Sequence, residues 1–135
     1  MKTLFIIFIL LFSTHAISGA VVVVHPSNDS QITLSDIKKL YLGKKSSFKN
    51  GVPATLAILK EGNDLRKMFN TNILNKSEAM YTGYWAKLNF TGQATAPLDF
   101  ADSDSMKQFV ANNPNAIGII DDELVDDSVK VVANF

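Results

Sequence analysis

Apolar residues fall into two patterns along the chain, and the two patterns alternate. Short runs of β-branched or aliphatic residues predict buried strands, at 21–24, 53–59, 116–120 and, more briefly, 129–132. Between them, apolar residues three or four positions apart predict helices, which begin near Thr33, Leu65, Ser77 and either Ser103 or Ser105. Strands without a polar face, separated by helices, predict an α/β domain whose sheet is covered by helices on both faces.

The N-terminal segment has a different pattern, typical of an export signal. Lys2 supplies one positive charge, and an apolar run of about nine residues follows from Leu4 to Phe12. This run is about half the length that a membrane-spanning helix needs. A charged start, a short apolar stretch and small residues after it predict a cleavable signal peptide over residues 1–20. A retained N-terminal membrane anchor is the alternative.

The predicted cleavage lies after Ala20, because Ser18 and Ala20 place small residues at the positions that signal peptidases select. Cleavage after Ser18 or Ala16 is also compatible with the sequence. The segment 21–135 is then long enough for one domain with a single core.

Composition narrows the compartment and the partners. The chain has no cysteine, and a small exported domain without disulfides is typical of a bacterial periplasm. We therefore expect a periplasmic protein, secreted through the inner membrane. Acidic and basic residues are equal in number, at 13 each, which argues against nucleic acid as a partner. Lys44, Lys45 and Lys49 are concentrated in one turn-rich loop, where they are either solvated or part of a binding surface.

Groups typical of catalysis are scarce. His25 is the one histidine after the predicted signal peptide, and its place at the end of a strand favours a structural role over that of a base. The sequence contains no nucleophile elbow, phosphate-binding P-loop or dinucleotide fingerprint. The acidic segment 121–127 matches no calcium-binding loop and is interpreted as a solvated turn. We expect no enzyme activity, no cofactor and no metal.

The segment 60–66 lies between a predicted strand and a predicted helix. Such a junction directs free backbone N–H groups and the positive end of the helix dipole toward the sheet edge, where they can hold an oxyanion. Ligands of open α/β sheets also dock at the carboxyl ends of strands. The alternative is that Asn63 or Asp64 caps the helix and satisfies the same N–H groups.

The order of several motifs resembles the phosphate-binding component of bacterial ABC phosphate importers. The motifs that carry the resemblance are Ile32 to Ser35, Leu40 to Lys44, Gly62 to Phe69, Trp85, and Asn113 to Gly118. The resemblance covers about residues 21–121. It implies a three-layer α/β fold of the type 2 periplasmic-binding-protein kind, with a mixed, mainly parallel sheet. Proteins of that family have two lobes with the anion between them, and this chain is long enough for about one.

The resemblance also implies a site and a function. It places ligand-binding residues at Gly62, Asn63, Asp64 and Arg66, although the serine and threonine of the family loop are replaced here. These residues predict a substrate-binding-like protein that binds a small anionic solute weakly or with a partner. That partner would be a membrane transporter, a sensor or a second copy of the chain. The alternative function is a ligand-free interaction module that acts as the periplasmic partner of a sensor or membrane complex.

Overall fold

The computed structural model describes residues 19–135 and places nine helices and strands in that part of the chain. In chain order these are β1 (Ala20–Val24), α1 (Leu34–Tyr41), β2 (Thr55–Leu59), α2 (Asp64–Asn72), α3 (Glu78–Phe90), β3 (Leu98–Phe100), α4 (Ser103–Asn112), β4 (Ala116–Asp121) and β5 (Lys130–Asn134). A single turn of 3₁₀ helix, Asp122–Leu124, follows β4. The predicted alternation of strands and helices is confirmed.

The strands form one sheet in the order β3-β2-β4-β1-β5. β2 runs parallel to β3 and β4, whereas β1 runs antiparallel to both of its neighbours, β4 and β5. Four strands therefore run in one direction and β1 runs in the other. This arrangement confirms the predicted mixed, mainly parallel sheet.

The valine run of β1 explains why the sheet is covered on both faces. Successive side chains of a strand point to opposite faces. Val22 and Val24 pack with α1, α2 and α3, and Val21 and Val23 pack with α4 on the opposite face. All four valines are buried, which is why this strand carries no polar alternation. The three layers predicted from the sequence are present.

The structure adds one strand to the predicted elements, shifts the ends of others and decides between two predicted helix starts. The strand β3 was not predicted, because Leu98-Asp99-Phe100 is too short and too exposed to form an apolar run. Helix α4 begins at Ser103, since the Asp102 carboxylate accepts a hydrogen bond from the Ser105 N–H at 2.8 Å and acts as the cap. The last strand, β5, begins and ends later than predicted.

The first described residues are already part of the fold. The backbone N–H of Gly19 donates to the Asp122 carboxylate at 3.1 Å, and Ala20 exchanges two backbone hydrogen bonds with Phe135. β1 therefore starts one residue before the predicted start of the domain. The cleavage position stays a prediction, and cuts after Ser18 or Ala16 would leave both residues in place. The rest of the predicted signal peptide lies outside the described residues.

Across residues 19–135, none of the helices has the length and apolar character needed to cross a membrane.

Helix α1 begins near Thr33, as predicted, and its first turn is closed by a capping box. The Thr33 hydroxyl accepts a hydrogen bond from the Asp36 N–H, and the Asp36 carboxylate accepts one from the Thr33 N–H at 2.9 Å. Lys45 and Lys49 lie 3.2 and 3.3 Å from the same carboxylate. The Thr33 N–H, together with these ammonium groups, holds the pKa of Asp36 well below its usual value.

This lowered pKa makes a pH-dependent contribution to stability. We expect Asp36→Asn to lower the free energy of unfolding by about 1–2 kcal/mol at pH 7. A carboxyl group with a depressed folded-state pKa stabilises above its unfolded pKa, and the contribution is lost as the pH falls through the folded-state value. The difference in free energy of unfolding between wild type and Asp36→Asn should therefore decrease from about pH 5 to pH 2 in urea titrations.

Asp104→Asn is the matched control, because Asp104 also lies in the first turn of a helix but is exposed. Its effect should stay within about 0.5 kcal/mol at either pH. A gap between wild type and Asp36→Asn that does not change with pH would contradict the assignment.

Candidate functional site

The loop between β2 and α2 turns sharply at Gly62. Gly62 has a φ of +90°, a left-handed conformation that glycine adopts at little cost. The backbone N–H of Asn63 donates to the Lys60 carbonyl at 3.1 Å and closes the turn. The loop thus carries the chain from the carboxyl end of β2 directly into the first turn of α2.

Asn63 is the cap of α2. Its side-chain oxygen accepts hydrogen bonds from the backbone N–H groups of Leu65 at 2.9 Å and Arg66 at 3.4 Å. Of the alternatives left open by the sequence, Asn63 rather than Asp64 satisfies these groups. The Asp64 side chain is fully exposed and lies 4.0 Å from the Lys67 ammonium. Asp64 therefore takes no part in the cluster formed by its neighbours.

Arg66 is buried, with 7% of its surface exposed. Its Nε donates to Glu78 at 3.1 Å, and its Nη1 donates to the Leu59 carbonyl at 3.0 Å. The same Nη1 lies 3.5 Å from the Asp99 carboxylate. The guanidinium group thereby joins the ends of β2 and β3 to the start of α3. A buried charge requires such pairing, since its desolvation is costly.

The Glu78 carboxylate is the centre of this cluster. It accepts hydrogen bonds from the Gly62 N–H at 3.3 Å, from Arg66, and from the Asn70 side-chain amide at 2.9 Å. Asn70 is fully buried, and within residues 19–135 its side-chain oxygen has no hydrogen-bond partner. A backbone N–H, a guanidinium and an amide that converge on one group form the chemistry of an oxyanion site. Here the chain supplies the anion itself.

The charges around the cluster oppose a second anion. Glu61 and Asp99 line a groove of about 310 Å³ that leads to Arg66, together with Tyr81 and Asn89. The Glu78 carboxylate repels a second anion most strongly, since two like charges about 4 Å apart repel by about 4 kcal/mol at an effective dielectric near 20. Water screens the charge of the exposed Glu61. An incoming anion would therefore have to displace the Glu78 carboxylate rather than bind beside it.

The predicted site residues are thus partly assembled. Gly62 and Arg66 both donate to Glu78, and Asn63 shapes the loop, whereas Asp64 points to solvent. Sequence reasoning missed Glu78 and Asn70. Asn70 follows Arg66 by four positions and so lies on the same face of α2, a spacing that could have indicated it. No sequence pattern links Glu78 to Gly62, since the two meet only through the tertiary fold.

A larger cavity, of about 510 Å³, lies at the opposite ends of β2 and β3. Its wall is formed by the turn 43–46 and the segment 93–96. Its apolar lining includes Leu40, Leu56, Trp85 and Leu98, and its polar lining Lys44, Lys45, Ser46, Thr55, Gln93 and Thr95. This larger cavity is therefore separate from the loop that the resemblance indicated, although the two sites approach each other at Trp85.

Helix α3 holds the wall of this cavity in place. The Tyr81 hydroxyl and the Trp85 indole N–H donate to the Tyr41 carbonyl at 2.9 and 3.0 Å, and the Tyr84 hydroxyl donates to the Leu42 carbonyl. Burial raises the pKa of Tyr81 well above its usual value, which keeps its hydroxyl protonated as a donor. These bonds satisfy carbonyl groups that the end of α1 leaves free.

The other sequence candidates have local roles. The His25 Nδ1 accepts a hydrogen bond from the Ser27 N–H at 3.1 Å, within the turn after β1. In the acidic segment, Asp121 accepts from the Glu123 N–H at 3.0 Å, and Asp126 pairs with Lys107 at 2.5 Å. Among residues 19–135, no three potential metal ligands are grouped closely enough to hold an ion.

Comparison with solved structures identifies the fold. A phosphate ABC transporter substrate-binding protein from Clostridium perfringens with bound phosphate has a TM-score of 0.67 and 26% identity, over 85% of this chain and 44% of that one. An ABC-type phosphate transport receptor from Vibrio cholerae has a TM-score of 0.66 and 20% identity, over 85% of this chain and 45% of that one. PstS from Borrelia burgdorferi has a TM-score of 0.65 and 11% identity, over 86% of this chain and 47% of that one.

No protein-family model matches the chain, and no curated protein matches it. The solved structures nonetheless confirm the predicted resemblance to substrate-binding proteins of phosphate ABC transporters. The chain spans less than half the length of these proteins. They are described as binding proteins and receptors, not as enzymes.

The pairing of Arg66 with Glu78 can be measured in a double-mutant cycle. Arg66→Met and Glu78→Gln should each destabilise the protein, and the double variant should lose less than the sum of the two. We expect a coupling energy of about 1–3 kcal/mol in urea unfolding, because the pair is largely buried. The control cycle uses Asp64→Asn and Lys67→Met, an exposed pair for which coupling should not exceed about 0.5 kcal/mol. Additive losses in the first cycle would contradict the role assigned to Glu78.

Proposed function

We propose that the protein binds a small oxyanion of the phosphate class at the loop between β2 and α2, in competition with its own Glu78. The observation that supports this function is the convergence of three donors, from Gly62, Arg66 and Asn70, on one carboxylate. A tetrahedral oxyanion presents the same kind of oxygen acceptors to these donors. The fold similarity to a protein with bound phosphate adds support.

Binding by this chain alone is weak under the proposal, for two reasons. The Glu78 carboxylate is tethered next to the donors, so an external anion competes with a group at high effective concentration. Moreover, Glu61 and Asp99 line the groove that leads to Arg66, and their charges disfavour an anion there. Additional contacts would come from a partner, either a membrane transporter component or a second copy. The proposed place of action is the periplasm, and the proposed role is binding rather than catalysis.

One observation favours the alternative of an interaction module without a ligand. Helix α3 is apolar on most of its circumference, yet Phe90 is 94% exposed and Met80 58% exposed. A helix of this composition is usually covered. If the exposed side of α3 is an interface between copies, sedimentation should show self-association that Phe90→Ser abolishes. A monomer at all concentrations would exclude an interface between copies.

The proposed function predicts the effect of removing Glu78. Glu78→Ala should bind phosphate at least about tenfold more tightly than wild type, since the three donors become available and one negative charge is lost. Glu78→Gln keeps the shape of the side chain but not its charge. Its phosphate affinity should lie between those of wild type and Glu78→Ala. Isothermal titration with phosphate and sulfate measures the affinities, and circular dichroism checks that the variants are folded.

Glu61→Ala is the matched control. It removes a carboxylate from the same loop, and Glu61 is exposed and holds none of the three donors. Its phosphate affinity should change by about threefold or less. If Glu61→Ala and Glu78→Ala increase the phosphate affinity equally, net charge alone explains the increase. If neither wild type nor Glu78→Ala binds phosphate or sulfate at millimolar concentration, oxyanion binding is wrong.

A further inference from the structure

The cavity of about 510 Å³ has the size of pockets that take small molecules, which typically occupy about 300–1,000 Å³. It lies at the start of β2, whereas the oxyanion loop follows the end of the same strand. None of the residues that the resemblance assigned to ligand binding lines it. It is therefore a separate candidate site, and its chemistry can be derived from its lining.

The floor of the cavity is apolar and open to solvent. Leu98 belongs to the edge strand β3 and is 48% exposed, while Leu56 is half-buried and the Trp85 ring forms part of the same surface. Apolar surface in a concave site is the usual lining of a ligand pocket, with a few polar groups that orient the ligand. An occupant with an apolar body would remove this surface from water.

The charge of the lining selects the sign of the occupant. Among the described residues that line the cavity, none is Asp or Glu. The Lys45 ammonium is paired with Asp36 at 3.2 Å, whereas Lys44 is exposed and forms no ion pair with residues 19–135. Ser46, Thr55 and Thr95 add hydroxyl groups. An unpaired cation next to hydroxyl donors favours a carboxylate or another organic anion.

The wall that carries Lys44 is rigidly held. Gly43, with a φ of +66°, packs so closely that a Cβ in its place would lie 3.0 Å from the Ala94 Cβ and 3.1 Å from the Trp85 ring. The hydrogen bonds from Tyr81, Tyr84 and Trp85 to the end of α1 fix the preceding residues. A prebuilt wall lowers the entropy cost of binding. Gly43 and Lys44, the last residues of the motif from Leu40 to Lys44, thus help to form this cavity.

We propose that this cavity is a second ligand site, for a small organic carboxylate with an apolar body. The apolar portion lies against Leu56, Trp85 and Leu98, and the carboxylate faces Lys44 at the rim. Inorganic phosphate lacks an apolar body and is not the ligand of this site. The proposal stands independently of oxyanion binding at the β2–α2 loop.

Trp85 is the one tryptophan of the chain, so its fluorescence reports on this site directly. Three probes separate the two features. Hexanoate has an apolar body and a negative charge, hexanol has the apolar body alone, and acetate has the charge alone. We expect a saturable fluorescence change with hexanoate. Its midpoint concentration should be at least about fivefold lower than that of hexanol or acetate. Saturating phosphate should leave the hexanoate midpoint unchanged, because Trp85 also borders the groove near Arg66.

Lys44→Gln should weaken hexanoate binding by about threefold to fivefold and leave hexanol unaffected. Lys39→Gln is the control, since Lys39 is also exposed but lies outside the cavity. Three results would overturn the proposal: no saturable response to hexanoate, equal weakening by the two variants, or displacement of hexanoate by phosphate. The last result would assign the response to the groove at Arg66 instead.

Discussion

The buried guanidinium of Arg66 is the group on which the rest of this arrangement depends. A charge removed from water must find partners, and Arg66 finds them on different elements: Leu59 at the end of β2, Asp99 on β3 and Glu78 at the start of α3. Once Glu78 is held, the first turn of α3 is fixed over the sheet. The aromatic residues further along α3 can then reach the end of α1, and the cavity wall follows from that contact.

The loop after β2 directs its hydrogen-bond donors at a carboxylate of the same chain. Such an internal acceptor satisfies groups that would otherwise be buried and unpaired, a situation that costs more than a formed hydrogen bond gains. These donors therefore need no ligand to be satisfied. Under the proposed function, only an anion that outcompetes a tethered carboxylate would enter the site.

Local signals in the sequence were sufficient for most of the fold. The valine run of β1 and the start of α1 at Thr33 depend on neighbouring residues, and both have the predicted structure. β3 was missed because it is held by pairing with β2 rather than by its own composition. The site was predictable only in part. Asn63 caps the helix that follows it, which the local sequence indicates. The contact between Gly62 and Glu78 depends on how α3 packs, and the spacing of residues in the sequence does not indicate that packing.

The place of β1 in the sheet has a consequence for the order in which the protein can fold. β1 lies between β4 and β5, the last two strands, and Ala20 pairs with Phe135. A chain that is synthesised from its N-terminus therefore carries β1 as an unpaired, fully apolar strand until β4 and β5 are available. Such non-local pairing slows folding. For a chain with a predicted export signal, this delay would keep the polypeptide extended while it threads through a translocation channel, and assembly of the sheet would begin on the far side.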